Sequence, residues 1–183
     1  TMPAHLVTVT AQFEALPQVL TVANVPNGTI TATPSDNIFT DTNIDITVAP
    51  NTGYRYKENS LRAYKTGDES VAVGISTGVI IMPAFDVTVT AEFEGLPQTL
   101  TLATVANGTI TATPSEGIVT GAEITLTTNA AAGYKLVENS LRAYKTGNES
   151  VTVDIVNGKI VMPAYAVTVT AQFEALPQVL TVE

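Results

Sequence analysis

Arginine, tyrosine and lysine stand almost side by side in ENSLRAYKTG at 58–67, and the same ten residues return at 138–147. The chemistry they could do is recognition. A tyrosine offers a flat apolar ring with a polar tip, and a guanidinium donates hydrogen bonds without accepting any. Arg62, Tyr64 and Lys65, with Arg142, Tyr144 and Lys145, are therefore the candidate binding residues, for a glycan or a protein surface. The chain has no tryptophan, so tyrosine is the best available sugar platform. The competing reading is structural, with each tyrosine paired across a sheet to a β-branched neighbour.

Catalytic chemistry has little to work with. The single histidine, His5, is replaced by Phe85 and Tyr165 at the matching positions further along, so bulk suffices there. Without cysteine or a second histidine, the usual nucleophile-and-base pairs cannot be assembled, and the chain reads as a non-enzyme. Asp41, Asn43 and Asp45 have the spacing of oxygen donors for calcium, with Asp36 nearby, but Gly121, Glu123 and Thr125 stand at the corresponding places later. The expectation is a solvated strand edge with neither metal nor cofactor. Lys65, Asn59 and Glu58 recur as Lys145, Asn139 and Glu138, the ingredients of an isopeptide crosslink. Placing Asn59 and Lys65 on one strand keeps their side chains apart and argues against that bond.

The elements that position these residues come twice. Residues 20–99 and 100–179 align without a gap and are identical at 49 of 80 positions. Residues 1–19 match the end of such a unit and 180–183 its beginning, so the expected organisation is a partial repeat, two full repeats and the start of another. Tandem arrays usually supply length, spacing or multivalency. The net charge of −9 disfavours nucleic acid, and no apolar run is long enough for a membrane helix.

Within a unit the period is that of strands. In VTVTAEFE at 87–94, Val87, Val89, Ala91 and Phe93 alternate with polar residues, and the pattern recurs at 7–14 and 167–174. Asn27-Gly28 and Asn107-Gly108, each between Thr- and Val-rich runs, predict tight hairpins. Further strands are expected at 44–50, 59–66, 70–76 and 79–84, with Tyr54 and Tyr134 packed by their rings and Met82-Pro83 turning the chain into the last strand. The short Leu-Pro-Gln joints predict closely held modules, hence an elongated, all-β rod. An unpaired strand at 7–14 would have to add to the first unit or dock on another molecule, giving end-to-end self-association.

GTITATP, then TGYR or AGYK, then NSLRAYKTG, then MPA-x-x-VTVTA-x-F closing the unit, resembles the divergent InlB B-repeat family of bacterial surface proteins. The resemblance implies a small β-grasp-like sheet per module and an extracellular place on the cell surface or wall, in a stalk or adhesive region. Leu61 and Leu141 stand near the position where family members often carry tryptophan. Two functions follow as expectations: a stiff spacer, or a multivalent module binding host or matrix glycans or proteins through NSLRAYKTG.

Overall fold

The computed structural model describes residues 7–178. His5 and the segment 180–183 lie outside them. Every regular element among the described residues is a strand. The first repeat contributes β1 (Leu20–Val22), β2 (Gly28–Thr33), β3 (Asn43–Pro50), β4 (Tyr54–Tyr56), β5 (Arg62–Lys65), β6 (Asp68–Val73), β7 (Ile75–Ser76), β8 (Val79–Ile81), β9 (Val87–Thr90) and β10 (Phe93–Gly95). The second contributes β11 (Leu100–Leu102), β12 (Gly108–Thr113), β13 (Glu123–Ala130), β14 (Tyr134–Leu136), β15 (Arg142–Lys145), β16 (Asn148–Val153), β17 (Lys159–Val161), β18 (Val167–Thr170) and β19 (Phe173–Ala175).

These strands make two compact units, and the cut does not follow the sequence repeat. One unit takes the described residues up to 49 together with 56–92; the other takes 50–55 together with everything from 93.

In the first unit, one sheet has the order β1-β9-β5-β6 and another the order β2-β3-β8-β7. Alternation explains both. On β3, Ile44 and Ile46 are buried while Asn43, Asp45 and Thr47 are exposed, because successive side chains leave opposite faces. Ile30, Ile44, Ile46 and Ile80 from one sheet meet Ala63, Val87 and Val89 from the other in a single core that also takes in Met82. Ile44, Ile80, Met82, Val87 and Val89 have no exposed surface. Burying a side chain of this size stabilises by about 1.5–3 kcal/mol.

The second unit repeats the plan, with β11-β18-β15-β16 in one sheet and β12-β13-β17 in another. Its core is Ile110, Ile118, Ile124, Leu126, Ile160, Met162, Val167 and Val169, with Ala143 and Ala171 between them. It also holds two short two-stranded ladders, β14 with β19 and β10 with β4.

Three sequence expectations are revised. Asn27 does turn the chain, at φ +67, but the runs on either side of it do not form a hairpin. β1 runs parallel to β9, with Leu20 opposite Val87 and Val22 opposite Val89, while β2 joins β3 in the other sheet. Pairing with β9, whose Val87 and Val89 are buried, covers more apolar surface than a hairpin at the edge would. The strand expected at 87–94 breaks after Thr90, and its tail becomes β10 in a different sheet. The strand expected at 7–14 does not form. Val9 and Phe13 are 87% and 94% exposed, and the first β contact is the bridge from Pro17 to Phe39. In the full repeats the equivalent strands β9 and β18 lie between β1 and β5 and between β11 and β15, whereas residues 7–14 join no ladder among the described residues.

Candidate functional site

β5 is short because Asn59 sits at φ +60 in a turn, which removes it from the strand that carries Lys65. The turn is fastened to the segment that follows the neighbouring strand β9: the Ser60 hydroxyl donates to the Glu92 carbonyl at 3.2 Å and accepts from its amide at 3.0 Å. From Arg62 on, alternation decides which side chains meet. Ala63 is buried opposite Val89, whereas Arg62 stands opposite Thr90, and Tyr64 opposite Thr88 and Ala72. Directly opposed residues share a face, so Arg62 and Tyr64 lie together on the outer, threonine-bearing side. The second unit repeats this register, with Arg142 opposite Thr170 and Tyr144 opposite Thr168 and Thr152.

Lys65 does not join them. It lies opposite the fully buried Val87 and after a register shift in the pairing with β6, and its ammonium reaches over the Phe85 ring at 5.7 Å. Lys145 does the same over Tyr165 at 5.4 Å. A cation over an aromatic face is worth about 0.5–1 kcal/mol at an exposed site. The structure thus unites Arg62 with Tyr64 and Arg142 with Tyr144, and turns both lysines away.

Electrostatics around the face differ between units. Glu92 bonds Lys57 at 2.5 Å, and this hydrogen bond, followed by the charge of Lys57 and a smaller pull from Arg62, holds its carboxyl below the usual glutamate range. The Asp68 carboxyl is lowered by the hydroxyl and amide of Ser70, with help from Lys65. Val137, Gln172 and Asn148 occupy these places in the second repeat, where no such shift arises.

A cleft of about 270 Å³ opens beside β5 and β6 in the first unit, lined by Arg62, Tyr64 and Glu69 together with apolar Leu61, Val73 and Ile75. Sequence reasoning passed over Glu69. The usable signal was that Glu69 and Glu149 follow the repeated decapeptide at identical positions, although the residue between differs.

The other candidates separate. Asn43 and Asp45 are exposed on β3, and Asp41 sits in a turn at φ +67 with its amide bound to the Met82 carbonyl. No group of three or more acidic or histidine side chains arranged to hold a metal ion occurs among the described residues. Tyr54 and Tyr134 are half-buried at the heads of β4 and β14 rather than enclosed. No described helix is long and apolar enough to cross a membrane.

Leu96 and Gln98, in the joint, are held within the second unit. The Leu96 amide donates to Gly53 at 2.8 Å, the Leu96 carbonyl accepts from Thr120 at 2.9 Å, and the Gln98 amide donates to Ile118 at 2.9 Å. The Gln98 side chain adds a bond to the Thr120 hydroxyl at 3.0 Å, and Thr120 is buried. In the first unit the Gln18 amide makes the matching bond to Ile38 at 2.8 Å.

A family model described as the divergent InlB B-repeat domain matches residues 18–96 and again 98–177. No curated protein and no solved structure matches the chain.

Proposed function

Because the chain belongs to the divergent InlB B-repeat family, whose members are typically bacterial surface proteins, we propose that it is a non-catalytic spacer that sets a stiff distance outside the cell. The observation that carries this reading is the joint. Residues 96–98 are tied by backbone hydrogen bonds to Gly53, Ile118 and Thr120, all inside the second compact unit, so the Leu-Pro-Gln segment between the sequence repeats is ordered structure and not a free linker. A hinge needs backbone that is free of such partners. Pro97 adds to the effect by fixing its own φ. The extracellular setting rests on the family.

Amide hydrogen exchange tests the reading. The amides of Leu96, Gln98 and Thr120 are expected to exchange nearly as slowly as that of Val169 in the core. Exchange as fast as that of the exposed amides at 8–15 would mean the joint opens freely, and the spacer would not be stiff.

A further inference from the structure

We infer that the cleft beside β5 and β6 is a subsite for one uncharged sugar ring of a polysaccharide, a role additional to spacing and independent of it. Three side chains carry the chemistry. Arg62 supplies hydrogen-bond donors only, Glu69 supplies acceptors only, and sugar hydroxyls need both. Tyr64 supplies an aromatic surface for the apolar face of a ring. The Glu69 carboxylate is exposed and makes no hydrogen bond or ion pair among the described residues. The Arg62 guanidinium likewise makes none, and the two do not bridge each other. Both are therefore available to a ligand.

Charge fixes the class of sugar. One cation and one anion leave the lining neutral, and the chain as a whole carries −9, which repels uronates and sulfated glycans. At about 270 Å³ the cleft falls just below the roughly 300–1,000 Å³ of sites for drug-sized ligands, so it admits one ring rather than an oligosaccharide. Binding at such a site is weak, and repetition strengthens it. Arg142, Tyr144 and Glu149 stand at the equivalent positions of the second repeat, so a polymer that engages both sets of side chains gains from linkage.

The test is titration of the two-repeat chain, followed by residue-resolved NMR, with neutral cello-, xylo- and manno-oligosaccharides. Oligogalacturonate and chondroitin sulfate are the charged controls. A neutral oligosaccharide is expected to shift the signals of residues 61–75 and their counterparts. E69Q/E149Q changes only exposed side chains, and Y64A/Y144A removes the platform; each should weaken binding about tenfold or more. The inference is overturned if no neutral sugar shifts these signals, if only the charged probes bind, or if E69Q/E149Q binds as the unaltered chain does.

Discussion

The two repeats share a core and differ in their charges. Ile44, Ile80, Met82, Val87 and Val89 are matched one for one by Ile124, Ile160, Met162, Val167 and Val169, all at most 1% exposed. Among the described residues the ion pairs are matched once, Arg55 with Glu94 against Lys135 with Glu174. Lys57 with Glu92 belongs to the first repeat alone and Lys159 with Glu123 to the second. Asp86, whose carboxylate accepts the Val19 amide at 2.8 Å, is replaced by Ala166. Buried alternation and backbone ladders therefore specify the module, and exposed ion pairs are interchangeable decorations, as their small energies would suggest.

The largest expected effect probes the shared half of this comparison. Ile44→Ala and Ile124→Ala each leave a cavity where no surface was exposed, and each should cost about 2–5 kcal/mol in denaturant unfolding. Near-equal losses sharpen the equivalence of the cores; a neutral result at one site would break it.

The ends of the repeats differ in a way that steric reasoning can exploit. Gly95 corresponds to Ala15 and Ala175, and a Cβ added at Gly95 would run into the carbonyl oxygen of Thr120. Gly95→Ala should destabilise by about 1–3 kcal/mol, the usual range for overpacking, and speed exchange of the Thr120 amide. Unchanged exchange would show that alanine is accommodated at every joint alike.

The smallest effect concerns acid. Glu92 and Asp68 have carboxyls below their ordinary range in the folded chain, so their contribution is complete above the unfolded pKa. It is lost as the pH falls through the lowered folded values. The variant D68N/E92Q, which gives the first repeat the side chains of the second, should therefore lose less stability between pH 7 and about pH 3 than the unaltered chain. Urea midpoints at the two pH values decide it, and identical losses would remove any role for these carboxylates.

Much of this was legible in the sequence, and the failures share a cause. Alternation at Val87, Val89 and Ala91 located the buried strand correctly, because period two depends only on neighbouring residues. Asn27-Gly28 announced a turn but not where the chain went afterwards, since the parallel pairing of β1 with β9 joins residues 67 positions apart. Arg62 and Tyr64 were found together because they are two apart on one strand. Lys65 was misplaced because the register shift beside it and the ring of Phe85 are tertiary features. The strand expected at 7–14 was read from pattern alone, and these residues join no ladder among the described residues.

The stiffness proposed for the joint between repeats is measured directly by a distance distribution. Thr47 and Thr127 are exposed and exactly one repeat apart, and the chain has no cysteine, so T47C/T127C accepts two spin labels at defined sites. Pulsed electron resonance on the doubly labelled chain should give a single narrow distance distribution, unchanged by dilution. A broad distribution spanning many distances would contradict the spacer account at its foundation.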